Sequence, residues 1–138
     1  MKIQTTKDEA KTFQRYWKSM LPKVTLSVTI SNFRNRIGTI KGDCYYFGIG
    51  TTKDKKKAFQ WYLKSAEGGD KDGQCNLGYC YHFGIGTTKD EEKAFQWYLK
   101  SAKGGNHMGQ NNLGYCYQQG IGTTNHEKKA FQWYLYCF

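Results

Sequence analysis

Residues 72–105 read DGQCNLGYCYHFGIGTTKDEEKAFQWYLKSAKGG, and close copies of this stretch lie on both sides of it. Gly50, Gly86 and Gly122 fall 36 residues apart, and the Ala and Trp of KAFQWYL recur at the same spacing. A fixed period of this length predicts one supersecondary unit stacked on copies of itself. The 138 residues hold about three and a half such units, just above the minimum for a stable stack.

The first half of the unit, called helix A below, has the pattern of a short helix with one apolar face. Gly78 lies at the edge of this face and carries no side chain, so another helix can approach its backbone closely. We therefore expect the second half of the unit to pack there. The residues that cluster on one side of a helical wheel are Gly73, Leu77, Cys80 and Tyr81.

Capping signals mark the expected ends of the two helices in the unit. Asp72 is a candidate N-cap for helix A, and Gly84 a left-handed stop. The second helix, helix B, is predicted to start at Thr88, because Thr-Lys-Asp-Glu has the spacing of a capping box. Gly104 and Gly105 are expected to end it.

Helix B has its own apolar stripe at helical spacing, through Ala94, Trp97, Tyr98 and Ser101. Each unit is therefore helix A, a GIGTT loop and helix B, with the large rings of helix B packed on the small residues of helix A. The sequence predicts an all-α fold, an α/α helical-hairpin solenoid.

These motifs resemble the Sel-one-like repeat, a branch of the tetratricopeptide superfamily. The resemblance runs from Gly42 to Tyr136, and it implies a right-handed superhelix that acts as an adaptor in protein complexes and not as an enzyme. In the second unit it rests on Leu77-Gly78, Tyr81, Gly84, Gly86, Asp90, Lys93-Ala94 and Trp97-Tyr98. In the third it rests on Leu113-Gly114, Tyr117, Gly120, Gly122, Lys129-Ala130 and Trp133-Tyr134.

One departure from the family pattern concerns the start of helix A. Gly73 and Gly109 stand where the family usually has Ala. Glycine inside a helix costs about 1 kcal/mol relative to alanine, so we expect both residues to loosen helix A.

The N-terminal third departs from the repeat. Residues 1–20 resemble helix B and are interpreted as the degenerate helix B of an incomplete repeat. Residues 21–37 contain the only Pro and a β-branched alternation, which predicts a strand, a disordered segment or an irregular insertion or linker. Residues 38–138 are assigned to the solenoid proper, as three units.

Charge offers a second interpretation of the function. Residues 1–41 hold nine Lys and Arg against two Asp and Glu, whereas residues 42–138 hold twelve against nine. The excess therefore lies outside the repeats, which have an ordinary mixed surface. The N-terminal third could bind nucleic acid or an anionic surface without specificity, and in a salt-sensitive way. This distribution argues against nucleic acid as the main partner.

Cysteines and histidines give no sign of a catalytic, cofactor or metal site. Cys44, Cys80 and Cys116 occupy one equivalent position, which is typical of reduced core thiols. A zinc site could use Cys75, Cys80 and His82, but these residues do not share one side of the helix. We therefore expect no enzyme activity.

Two absences bear on the expected location of the protein. No apolar run approaches the roughly 20 residues that span a bilayer, and the first residues lack the apolar core of a signal peptide. We expect no transmembrane segment and an intracellular, cytoplasmic location.

The candidate binding surface is the side of helix A that points away from Leu77. Such a side lines the concave groove of tetratricopeptide-like stacks. Two tyrosines in register, flanked by amides, suit an extended peptide or a helix of a partner, although both rings could instead pack against neighbouring A helices. We predict an adaptor or scaffold, as part of a signalling complex, whose partner contacts Asn76, Tyr79, His82, Asn111, Asn112, Tyr115 and Gln118.

Overall fold

A computed structural model describes residues 11, 12, 15 and 27–137, with the backbone alone for 27–29. Its helices are α1 (Ser27–Phe47), α2 (Lys55–Glu67), α3 (Lys71–Phe83), α4 (Glu91–Lys103), α5 (His107–Gln119) and α6 (Glu127–Tyr136). No strand occurs among those residues. The predicted all-α repeat fold is confirmed. The helix B expected in residues 1–20 lies outside the described residues, except that 11, 12 and 15 are helical.

Consecutive helices pair into hairpins, with α1, α3 and α5 as A helices and α2, α4 and α6 as B helices. Each B helix also packs on the A helix of the next unit. Successive A helices touch each other, whereas no Cα atoms of successive B helices lie within 8 Å within the described range. The A helices are therefore closer together than the B helices, so the stack curves with the A helices on its inner, concave side.

The expectation for residues 21–37 is wrong over 27–37, which are helical and continuous with the rest of α1. Residues 21–26 lie outside the described part. The helix is fixed by contacts with helix B of the same unit: Ser65 Oγ donates to the carbonyl oxygen of Asn35 at 2.6 Å, and Asn35 Nδ2 donates to the carbonyl of Gly68 at 2.8 Å. Tertiary packing thus overrides the β-branched pattern.

The caps lie close to the predicted positions, but two residues differ. Asp70, not Asp72, caps helix A, because its carboxylate accepts from the backbone N–H of Gly73 at 2.9 Å. In helix B the N-cap is Asp90 and not Thr88. An Asp three residues before an N–H satisfies the free donors of the first turn as well as a Thr does. Gly84 ends helix A with φ 68°, as predicted.

A contact between a glycine and a tyrosine ring holds each hairpin together. A Cβ atom at Gly78 would lie 2.7 Å from the Tyr98 ring, and one at Gly114 would lie 2.8 Å from the Tyr134 ring. Tyr98 is 1 % exposed. The predicted close approach of the two helices at Gly78 is therefore present, with a ring against bare backbone.

Contacts between successive units depend on the glycines that we expected to loosen helix A. A Cβ atom at Gly73 would lie 2.5 Å from Ser65 Oγ, in helix B of the preceding unit, and Gly109 meets Ser101 in the same way. Ser101 Oγ donates to the carbonyl of Lys71 at 2.8 Å. The weak helix propensity is thus offset by close stacking, and an alanine at either position would force the facing serine side chain to shift.

Substitution of Gly78 by Val tests the glycine contact. We expect Gly78→Val to lower the free energy of unfolding by about 1–3 kcal/mol or more, because the added side chain overlaps the Tyr98 ring. Thermal melting followed by circular dichroism measures the change. Gln96→Val, at an exposed helical position, controls for the helix propensity of valine. Equal melting temperatures for the two variants would contradict the contact.

Candidate functional site

Two tyrosines are exposed at equivalent positions of neighbouring A helices. Tyr79 in α3 is 42 % exposed, and Tyr115 in α5 is 45 % exposed. The Tyr79 ring packs on Phe83, one turn further along α3, at a centroid distance of 4.6 Å. Phe83 is itself exposed. Neither tyrosine is buried by a neighbouring helix, so both rings offer apolar surface to a partner.

The two predicted amide contacts at Asn76 and Asn112 instead join neighbouring A helices. Asn76 Nδ2 donates to Asp43 Oδ1 at 3.5 Å, and Asn112 Nδ2 donates to Cys75 Sγ at 3.7 Å. Both bonds are long and cross from one unit to the previous one. These amides therefore position the A helices, with only part of their surface left for a ligand.

His82 and Gln118 occupy equivalent positions, and each meets the hydroxyl of its own hairpin's core tyrosine. His82 Nδ1 lies 3.3 Å from the Tyr98 hydroxyl, and the Tyr134 hydroxyl donates to Gln118 Oε1 at 2.8 Å. Burial lowers the pKa of His82, which favours the neutral imidazole. Asn111, the last of the predicted residues, is exposed.

Cys75 points away from Leu77 on a helical wheel, as Tyr79 does, yet it is buried, at 6 % exposure. It packs in the cluster between helix B of the second unit and helix A of the third, and burial raises its pKa to about 11. Cys80 packs in the preceding cluster, between helix B of the first unit and helix A of the second, so the two thiols lie in different clusters. A helix in a solenoid is covered by the other helix of its own hairpin and also by a neighbouring hairpin. A helical wheel that assumes a single buried face does not show this second contact.

Asp43 in α1 is a residue of the concave face that the sequence analysis missed. Its Oδ1 accepts from the Tyr62 hydroxyl at 2.6 Å. Burial raises the pKa of Asp43, and the nearby carboxylates of Asp72 and Asp70 add to the effect. The 36-residue period could have revealed Asp43, because it falls at the position that Tyr79 occupies in the next unit.

The thiols of Cys80 and Cys116 are buried in the core. Burial raises the pKa of Cys80 and of Cys116 to about 12, so both are protonated at neutral pH. Across the part of the chain that the structure covers, no three His, Cys, Asp or Glu side chains are grouped as metal ligands. Over the same residues, none of the helices combines the length and the apolar character that a bilayer crossing demands.

The fold and this face define a class of protein: a curved stack of helical hairpins whose inner face bears exposed rings. A family model of the Sel1 repeat matches residues 35–70, 71–106 and 107–136. The chain belongs to the Sel1 repeat family, whose members are generally protein interaction scaffolds. A search of curated protein sequences finds no significant match.

Solved structures of this family are similar to the chain. A Sel1 repeat protein from Oxalobacter formigenes is 33 % identical with a TM-score of 0.75, over 98 % of this chain and 52 % of that protein. A protective antigen of uropathogenic Escherichia coli with an SLR fold is 34 % identical with a TM-score of 0.71, over 75 % and 22 %. Helicobacter pylori cysteine rich protein B is 26 % identical with a TM-score of 0.69, over 95 % and 86 %. The chain thus spans about half or less of the first two proteins.

The raised pKa of Asp43 predicts a pH-dependent effect of removing its charge. Asp43 keeps its proton to a higher pH in the folded state than in the unfolded state. The carboxyl group therefore lowers the free energy of unfolding as the pH rises above 3.8, the ordinary pKa of an aspartate. We expect Asp43→Asn to melt at a higher temperature than wild type at about pH 7, and this difference to shrink near pH 3.

Glu67→Gln makes the same chemical change at an exposed site and serves as the control. A difference between Asp43→Asn and wild type that is equal at both pH values would contradict the burial effect.

Proposed function

We propose that this chain is an adaptor that binds a peptide or a helix of another protein on its concave face. The predicted contacts are Asn76, Tyr79, His82, Asn111, Asn112, Tyr115 and Gln118. The role in a signalling complex is part of the proposal and rests on analogy with interaction scaffolds of the repeat family.

The observation that carries this proposal is the exposure of large apolar side chains along the A helices. Phe47, Tyr79, Phe83, Met108 and Tyr115 are each between 42 % and 62 % exposed. A contiguous exposed apolar stripe is typical of interaction sites, and aromatic anchors supply much of the binding energy at protein interfaces. The polar residues at His82 and Gln118 border this stripe and suit hydrogen bonds to a peptide.

The second candidate function is binding of nucleic acid or an anionic surface through the basic N-terminal third. Arg34 and Arg36 are exposed on α1 and support it, whereas the Lys41 ammonium lies 4.5 Å from the centre of the Trp61 ring. Much of the positive charge, however, falls in residues 1–26, and the repeats carry little excess. Such binding should therefore disappear at moderate salt.

The intracellular, cytoplasmic location remains part of the proposal. The five cysteines are free, and Cys44, Cys80 and Cys116 are buried in the core at equivalent places. Free thiols in the core suit a reducing compartment.

A double substitution of the exposed tyrosines tests the binding face. Peptides selected on the full chain from a random display library serve as probes. We expect Tyr79→Ala combined with Tyr115→Ala to weaken their binding strongly, since each lost aromatic anchor costs about 2 kcal/mol or more, roughly 30-fold in Kd. Titration calorimetry measures Kd, and circular dichroism checks that the fold is unchanged.

The matched control replaces Lys55, Lys56 and Lys57 by Gln, at exposed positions on the start of α2. Solvated charges mainly change association rates, so this variant should bind nearly as wild type at physiological salt. Selected peptides that bind the tyrosine variant fully and lose binding to the lysine variant would contradict binding on the concave face. They would favour binding through the basic surface.

A further inference from the structure

A pocket lies on the concave face between α1 and α3, with a volume of about 360 Å³. This volume is in the range that proteins use for small ligands and side chains. Most of its wall is apolar or aromatic, and one carboxyl group, that of Asp43, faces it. Its lining residues are Asp43, Tyr46, Phe47, Tyr62, Asn76, Tyr79, Cys80 and Met108.

The repeat shows that Asp43 is the unusual residue of this pocket. The equivalent positions carry Tyr79 in α3 and Tyr115 in α5, and both rings project from the A helices. An aspartate is much shorter than a tyrosine. At the first unit the chain therefore has a recess and a carboxyl group where the next two units have a ring.

The Asp43 carboxyl has neutral partners only. Tyr62 donates its hydroxyl hydrogen at 2.6 Å and Asn76 donates through Nδ2 at 3.5 Å. No Lys, Arg or His nitrogen lies within 4 Å of it among the described residues. A half-buried carboxylate without a cation is unfavourable, so the free protein gains nothing in stability from having an acid here.

The rings around the carboxyl fit the long side chain of a basic residue. A cation attracted to Asp43 enters a pocket lined by the rings of Tyr46, Phe47 and Tyr79, and aromatic rings attract cations. The methylene groups of such a side chain can pack on Met108. Elsewhere in this chain lysines already lie against rings, as Lys100 does at 4.4 Å from the centre of the Trp97 ring.

Other occupants fit less well. An apolar side chain would cover Asp43 without compensating its charge, and an acidic one would be repelled by Asp43 and by its neighbours Asp70 and Asp72. A neutral hydrogen-bond donor would leave the charge uncompensated, whereas a cation on a long aliphatic side chain matches both the apolar walls and the carboxyl group.

We propose that this pocket receives the side chain of a lysine or arginine of the bound protein partner, paired with Asp43. The proposal rests on the proposed function, since it specifies one contact of the concave face. According to this proposal, the partner segment has a basic residue at one position and an apolar residue beside it. The apolar residue would lie on Tyr79 and Phe83.

The experiment couples a charge on the ligand with the charge at Asp43. Peptides are selected from a random display library on the full wild-type chain, and each Lys or Arg in turn is replaced by norleucine or citrulline, which keep the length and remove the charge. For one basic residue, we expect the replacement to weaken binding to wild type about tenfold or more, and to have little effect on binding to Asp43→Asn.

Two further variants sharpen the result. Asp72→Asn removes a nearby exposed carboxylate outside the pocket and should leave the charge effect intact. Asp43→Tyr installs the residue that the next two units carry, so it should fold with a melting temperature near that of wild type, fill the recess and abolish the preference for a basic side chain.

The outcomes separate this proposal from the proposed function. One outcome is that the peptides need Tyr79 and Tyr115, but that removing their charge weakens binding to wild type and to Asp43→Asn equally. This result would overturn the pairing with Asp43 and leave the concave binding face intact. Selected peptides whose affinity is unchanged by loss of both tyrosines would overturn both.

Discussion

The packing of a helix B tyrosine ring against a helix A glycine is the contact on which the rest of the structure depends. It brings the two helices of each hairpin so close that no Cβ atom fits between Gly78 and the Tyr98 ring. Because the ring passes close to the bare backbone, its hydroxyl reaches side chains of helix A on the concave face. There it meets His82 in the second unit and Gln118 in the third. The core contact thus supplies a hydroxyl group to the concave face.

Stacking of the units depends on a second small residue. The serine near the end of helix B donates to a helix A carbonyl of its own unit, that of Asn35 or of Lys71, and it lies against the glycine of the next helix A. Cys137 takes this position in the third unit, with its Sγ 3.5 Å from the carbonyl of His107. A small donor is needed there because the two A helices and the B helix converge on it. Hairpin closure and stacking therefore both require residues with little or no side chain.

Most of the fold could be predicted from the sequence, because the 36-residue period and the two helical patterns repeat almost unchanged. The site was harder to predict. Tyr79 and Tyr115 were predicted as contacts because they recur, and both are exposed, whereas Asp43 was not considered because it breaks the repeat. The error over residues 27–37 has a related cause: the sequence there does not match the repeat, and the hydrogen bonds between Asn35 and helix B show that it takes the place of a helix A. Periodicity reveals what the units share, while long-range contacts decide where they differ.

The differences between units have a consequence for the orientation of a ligand. In a scaffold of identical repeats, a bound chain could shift by one unit and meet the same groups again. Here the series Asp43, Tyr79, Tyr115 changes character along the A helices, and the tyrosine hydroxyls meet an acid in one unit, an imidazole in the next and an amide in the third. The concave face therefore has no translational symmetry and has two chemically distinct ends. If a partner segment binds along this face as proposed, these differences give it one preferred direction and one preferred alignment, although the backbone beneath it is periodic.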